Sequence, residues 1–155
     1  DIVLIDLANP DRDTLERWNT GVRRTNGRRD MKIGDTAKRT RQFSARDADE
    51  LGALTGCPTP AGIVPEAFIN ALFSDLLGMD LPGPGANYLK QETRFLTPAP
   101  TDRPLTARVQ ITRLRPEKHL VDLATTCRDR DGNLIAEGRA LIYARDVVGH
   151  TIEIG

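Results

Sequence analysis

Three polar side chains recur at every fourth position in the most apolar stretch of the chain: Glu66, Asn70 and Ser74. Residues four apart lie on the same face of a helix, so these three would form one polar stripe. A carboxylate can take a proton from water, and an amide or a hydroxyl can hold that water in place. The stripe is therefore the first candidate catalytic site. Glu66 also has a structural interpretation, because an acid in the first helical turn complements the helix dipole.

The other candidates have alternatives as well. Asn70 either binds a water between its two neighbours or bridges to another subunit, and Ser74 either contacts substrate or donates to a carbonyl one turn earlier. Gln91 falls on the helix-facing side of a predicted strand that is apolar at Leu89 and Phe95, so it either lines a pocket or ties the helix to the sheet. Cys57 would need a nearby base to act as a nucleophile, and no histidine is close to it in sequence. A free cysteine is usually a small buried hydrophobe.

The polar stripe belongs to a predicted helix over residues 65–77. Pro65 suits its first turn and Gly78 ends it. Because nearly all the other residues between them are apolar, we expect this helix to be buried all round.

A shorter helix is predicted over residues 44–54. Ser44 and Asp47 have the spacing of a capping box, with Asp in place of the usual Glu. We expect Ala48, Leu51 and Leu54 to face inward.

The rest of the chain alternates between apolar and polar residues, as strands do. Strands are predicted over 36–43, 87–96, 105–114, 120–127 and 134–144, and Asp131-Gly132 is a hairpin signal between the last two. One buried helix and an antiparallel sheet predict an α+β fold in which the sheet wraps around the helix.

Composition excludes several classes of function. The 155 residues carry 22 Lys+Arg against 22 Asp+Glu, so the chain lacks the basic surplus of a general nucleic-acid binder. No apolar run reaches the ~20 residues that a membrane span needs. Two cysteines without metal spacing and two histidines predict neither a disulfide framework nor a metal site. We therefore expect a cytoplasmic protein with no metal and no membrane or nucleic-acid partner.

Six motifs, in this order, resemble those of the MaoC-like, R-specific enoyl-CoA hydratases. They are Met31-Lys-Ile-Gly-Asp35, Phe43-Ser-Ala-Arg-Asp47, Leu72-Phe-Ser-Asp-Leu-Leu-Gly78, Leu81-Pro-Gly-Pro-Gly85, Tyr88-Leu-Lys-Gln91 and Arg94-Phe-Leu-Thr-Pro98. The resemblance implies a hot-dog domain over 31–145, a homodimer with sheets joined edge to edge, and an acyl-CoA substrate without any other cofactor. Residues 1–30 would be an extension or linker, and 146–155 a tail.

The same resemblance places a substrate site around the helix and predicts that part of it is missing. Family members use an Asp and a His in one loop to activate water. The matching loop, residues 55–60, has Cys57 at the aspartate position and Thr59 at the asparagine position, and the histidine and about a dozen further residues are absent. Cys57, Thr59, Gly83, Gly85 and Gln91 are the expected substrate-binding residues.

Coenzyme A would also need cations for its phosphates, and several strand arginines are available: Arg94, Arg113, Arg128 and Arg139. Three hypotheses follow for the function. The chain is a divergent hydratase with Ser74 and the helix N-terminus as surviving parts, a thioesterase that uses Glu66, or an acyl-CoA-binding or dimerisation module without catalysis.

Overall fold

The computed structural model of the chain describes residues 29–147 and 150–151. In chain order the elements are β1 (Arg29–Asp30), β2 (Thr36–Gln42), α1 (Ala45–Thr55), α2 (Glu66–Met79), β3 (Asn87–Phe95), β4 (Pro104–Arg115), a 3₁₀ turn (Pro116–Lys118), β5 (Leu120–Asp129), β6 (Leu134–Tyr143) and β7 (His150–Thr151). Most of the predicted N-terminal extension and part of the predicted tail lie outside the described residues, so the division into domains stays a prediction.

Five strands form one antiparallel sheet in the order β2-β4-β5-β6-β3, and β1 pairs with β7 in a separate parallel pair. All five strands predicted from alternation are present in the main sheet. The sheet wraps around α2, which confirms the α+β hot-dog fold. Among the described residues, no helix has both the length and the apolar character to cross a membrane.

The core forms where the apolar side of α2 meets the inner face of the sheet. Phe73 and Leu76 on the helix are fully buried. They pack in one cluster with inward-facing strand residues, including Leu105, Val109, Val121 and Leu123. Burying a side chain of this size contributes roughly 1.5–3 kcal/mol.

The expectation that α2 is buried all round is wrong. Ala67 and Ala71 are exposed, although both are apolar. The sheet covers one side of the helix, and an alanine exposes so little surface that leaving it in water costs little. The open side of α2 is the side that carries the polar stripe.

Helix α1 has the predicted cap. The Ser44 side chain accepts from the Asp47 backbone N–H at 3.1 Å, and the Asp47 carboxylate accepts from the Ser44 backbone N–H at 2.7 Å. These bonds hold the pKa of Asp47 below its ordinary value. Ala48 is buried and Leu51 half-buried as predicted, but Leu54 is 86% exposed. Leu54 lies in the last turn of α1, beyond the part of that helix that packs inward.

Candidate active site

Glu66, Asn70 and Ser74 lie along the open side of α2, and we call this face the seam. Glu66 is the first residue of the helix and is exposed, Asn70 is half-buried, and Ser74 is exposed. The helix therefore presents a carboxylate, an amide and a hydroxyl to solvent on one face, as the spacing predicts. No side-chain cap is bonded at Pro65, the N-cap.

Asn70 is tied to the edge strand of the sheet. The Thr93 hydroxyl donates to Asn70 Oδ1 at 2.9 Å, and Gln91 Nε2 lies 2.8 Å from Thr93 Oγ1. Gln91 therefore reaches the helix through Thr93, which corresponds to the second of its two interpretations. Sequence reasoning did not single out Thr93. Its polar character beside Gln91 on the helix-facing side of the strand was the available signal.

The same network includes three further partners of Gln91. Gln91 Nε2 lies 3.2 Å from Oγ1 of Thr125, a fully buried side chain on β5, and 3.1 Å from the Glu92 backbone carbonyl. The Tyr88 hydroxyl bonds to Gln91 Oε1. Partial burial raises the pKa of Tyr88, so its phenol keeps its proton and acts as a donor.

The loop between α1 and α2 carries Cys57 and Thr59 and packs back against α1. Cys57 is exposed, and its backbone N–H donates to Thr55 Oγ1. The Thr59 hydroxyl donates to the Ala48 carbonyl at 3.3 Å, which fastens the loop to α1. A role for either residue in substrate binding stays a prediction.

Gly83 and Gly85 lie beyond the other end of α2, so the structure does not bring them to Glu66. Both have positive φ values, 99° and 93°. A Cβ on Gly85 would lie 2.1 Å from the Asp146 carbonyl oxygen. The requirement for glycine here thus comes from a turn pressed against the C-terminal segment, and a binding role for either glycine stays a prediction.

Neither histidine of the chain is placed at the start of the seam. His119 ends the 3₁₀ turn before β5, and its ring makes a T-shaped contact with the ring of Tyr143, with 6.0 Å between the two ring centroids. β4 starts at the Glu66 end of the molecule and finishes beside this turn, so His119 lies at the opposite end of the sheet. His150 belongs to β7, which pairs with β1. That the family's Asp and His are missing stays a prediction from the sequence.

Two of the arginines proposed for phosphate binding are engaged by carboxylates on β3 and β6. Arg94 pairs with Glu137, and Arg139 Nε lies 2.9 Å from Glu92 Oε2. Glu92 is bonded by Lys90 and Arg139, and both lower its pKa. Arg128 donates to the Gly132 carbonyl at 2.8 Å.

Arg39 binds two carboxylates at the C-terminal end of α2, and no sequence pattern singled it out. This arginine on β2 pairs with Asp75 and Asp80. All three side chains are partly exposed, so solvent screens the pairs and each contributes about 1 kcal/mol or less. The two ion pairs nevertheless join the C-terminal half of α2 to β2.

Two cavities of the described surface are lined by residues other than the three of the seam. One of about 490 Å³ surrounds Gly138 on β3, β5 and β6. The other, of about 390 Å³, lies at the C-terminal end of α2 and is lined by Asp30, Asp35 and Asp80 among others. Neither is lined by Glu66, Asn70 or Ser74, although Thr93 and Thr125 line the first. Glu66 and Ser74 are exposed, so the seam of a single chain is an open face.

The chain is similar to curated proteins over most of its length. A protein of Rhodospirillum rubrum named (R)-specific enoyl-CoA hydratase is 32% identical over 127 residues, which cover 73% of this chain and 88% of the relative. The chain belongs to the (R)-specific enoyl-CoA hydratase family. A family member of the same name from Aeromonas caviae is 30% identical over 126 residues, covering 72% of this chain and 94% of the relative. No protein-family model matches the chain.

Solved structures of the family agree with this placement. The (R)-hydratase from A. caviae involved in PHA biosynthesis superposes with a TM-score of 0.70 at 29% identity, covering 74% of this chain and 97% of that one. An unliganded R-hydratase from Pseudomonas aeruginosa gives a TM-score of 0.69 at 26% identity, with coverage of 79% and 84%. The family predicted from the six motifs is thus confirmed.

Proposed function

We propose that this chain binds 2-enoyl-CoA thioesters along the seam and adds water to their double bond. Relatives named as enoyl-CoA hydratases at 30–32% identity support the substrate class. The observation that carries the proposal is the open face of α2, where a carboxylate, an amide and a hydroxyl are held on the one helix that the sheet encloses.

Glu66 is the only titratable side chain of the seam, so it must handle the protons. Its carboxylate takes a proton from water while the oxygen of that water bonds to the β-carbon. The π electrons of the double bond move onto the thioester oxygen as an enolate. When the enolate collapses, the α-carbon takes a proton back from the Glu66 carboxyl. The 3-hydroxyacyl thioester then leaves, and Glu66 is again a carboxylate.

We further propose that the seam is completed by a second copy of the chain, joined through β3. Both edge strands lack a partner on one side within the described sheet. Of the two, β2 carries only cations among its charged residues, so pairing it with itself would set like charges together. β3 carries both signs and exposes Tyr88 and Leu89, at 42% and 55%. Its neighbour in the sheet, β6, leaves the other edge of β3 open for pairing.

A second candidate function is an acyl-CoA-binding module without turnover. It is favoured because His119 lies at the far end of the sheet, so that Glu66 is the one acid–base group that the described residues place at the start of the seam. A positioned acid–base group contributes about 10²–10⁴-fold to rate. The loss of one would leave slow hydration or binding alone.

The test is hydration of crotonyl-CoA, followed by loss of enoyl absorbance and by the chirality of the product. We expect slow formation of the (R)-3-hydroxy thioester, and we expect Glu66→Gln to lower kcat by about 10²-fold or more. Glu50→Gln is the matched control, because it removes an exposed helical carboxylate that pairs with Arg46 and with no other cation among the described residues.

Three other outcomes decide among the hypotheses. Release of free thiol from acyl-CoA would identify a thioesterase. Binding of butyryl-CoA with neither reaction would identify the module. Absence of both binding and turnover would refute the proposal.

The dimer is tested by sedimentation at micromolar concentration. We expect a dimer for the native chain and a monomer for Leu89→Asp, because that change buries a charge at the β3 edge. Leu54→Asp, which alters an exposed leucine on α1, should leave the dimer intact. A native monomer at this concentration would exclude the interface.

A further inference from the structure

We propose that Asn70 is a pre-oriented hydrogen-bond donor for the thioester carbonyl oxygen, and that Thr93 and Gln91 are positioning residues that set its orientation. This inference rests on the proposed function and adds to it the residue that contacts the acyl carbonyl. It follows from which atoms of the network can donate and which can only accept.

The orientation is set first at Gln91. Its side-chain amide lies 3.1 Å from the Glu92 backbone carbonyl, which can only accept, so the atom facing that carbonyl must be the NH₂ group. The other end of the amide is then Oε1, which accepts from the Tyr88 hydroxyl. The Glu92 carbonyl therefore determines one orientation of Gln91, and the Tyr88 hydroxyl donates to the oxygen that this orientation presents.

The orientation of Gln91 in turn determines the direction of the Thr93 hydroxyl proton. Gln91 Nε2 lies 2.8 Å from Thr93 Oγ1, and an amide nitrogen has no lone pair to offer as an acceptor. The hydroxyl proton of Thr93 must therefore point elsewhere. Asn70 is its other neighbour, at 2.9 Å. A donated proton requires an acceptor there, so the Asn70 atom that faces Thr93 is Oδ1.

The consequence is a fixed direction for the Asn70 NH₂ group. The oxygen and nitrogen of a planar amide point to different sides, so Nδ2 points away from β3. Among the described residues, no protein atom is hydrogen-bonded to Nδ2. Nδ2 is also not a buried atom left without a partner, so it is accessible from outside the protein. The amide therefore presents its two N–H donors to the seam, between Glu66 and Ser74.

A fixed pair of donors on this face suits an oxygen on which negative charge develops. In hydration that oxygen is the thioester carbonyl, which becomes the enolate oxygen. Donors held in place before the reaction need no reorganisation, and removing one typically costs about 10²–10³-fold in kcat. A donor that is free to turn away is worth less, since small misplacements cost about 10²-fold.

The experiment compares isosteric variants by kcat, KM and melting temperature with crotonyl-CoA. Asn70→Asp keeps the acceptor for Thr93 and removes the donor. Thr93→Val keeps the shape and lets the amide turn, whereas Thr93→Ser keeps the hydroxyl. Thr126→Val is the matched control, on a neighbouring position of the sheet and outside the network.

We expect Asn70→Asp to lower kcat by about 10²-fold or more, and Thr93→Val by about 10-fold, with KM nearly unchanged. Thr93→Ser should restore most of the rate, and Thr126→Val should leave it unchanged. If the network serves only to hold α2 on the sheet, Thr93→Val will lower the melting temperature without lowering kcat. That result overturns the inference and leaves the hydratase proposal intact.

If the native chain binds but does not hydrate, the same variants are compared by their Kd for butyryl-CoA. An increase in Kd of about 10-fold in Asn70→Asp, the value of one lost hydrogen bond, and a smaller one in Thr93→Val support the donor role, and equal values overturn it. If the native chain does not bind at all, the proposed function fails on the native protein, and the donor role falls with it.

Discussion

Replacing Gly138 by alanine should separate β3 from β6 and destabilise the whole sheet. Gly138 pairs with Thr93 on one side and with Thr125 on the other, in the middle strand of the three. A Cβ added here would lie 1.9 Å from the Glu92 carbonyl oxygen and 3.0 Å from the Thr93 Cα. The contact is with backbone, so no side chain can rotate to relieve it.

The expected cost follows from that distance. A tolerable approach needs roughly 1 Å more, which stretches neighbouring ladder hydrogen bonds beyond useful length. Each lost bond costs about 1 kcal/mol net, and overpacking strain adds about 1–3 kcal/mol. With two bonds lost, Gly138→Ala should lower the free energy of unfolding by about 3–5 kcal/mol. It should also move Thr93 and Gln91 away from Asn70, and so weaken acyl-CoA binding.

The assay is equilibrium unfolding in urea followed by far-ultraviolet circular dichroism. Gly132→Ala is the first control, because its φ of 87° costs about 1–2 kcal/mol while its Cβ would meet nothing within 4 Å. Gly78→Ala is the second control. It lies in α2 with open space around it, and should stabilise the chain by about 0.5–1 kcal/mol. A Gly138→Ala variant no less stable than Gly132→Ala would refute the close approach of β3 and β6.

The other predictions concern the first helix and the two thiols. Ser44→Ala should lower the free energy of unfolding by about 1 kcal/mol, measured in the same urea titration, because the Asp47 N–H loses its acceptor, whereas Ser44→Thr should retain most of it. Iodoacetamide should modify the folded chain once, at exposed Cys57, because burial raises the pKa of Cys127 to about 11 and closes access to it. Mass spectrometry should find two additions only after unfolding, and modification of Cys127 in the folded chain would show that β5 is less well packed than described.

The fold could be predicted because its signals are local. Strand alternation, the Ser44 capping box and the apolar run of α2 each reflect burial of one face of one element, so they can be seen within a few residues. The exposure of the Leu54 side chain could not be predicted in this way. Whether a given face of a helix is covered depends on what packs against it, and nothing near Leu54 in sequence reports that.

The site was predictable only in part for a related reason. The spacing of Glu66, Asn70 and Ser74 was enough to place them on one face. The role of Gln91 was not predictable, because it depends on Thr93 and on Asn70, which lies 23 residues from Thr93 along the chain. A contact at that separation depends on the register of β3 against the helix, which no local pattern encodes.

The amino-acid sequence by itself determined the element types and their order, since both follow from short-range patterns of apolar residues and turn residues, and its six motifs indicated the family by resemblance. The tertiary structure alone decided that α2 keeps one face open, that Gly138 must lack a side chain, and that His119 lies far from Glu66. These three features depend on which strands become neighbours and how closely their backbones approach. They arise only when distant parts of the chain pack together.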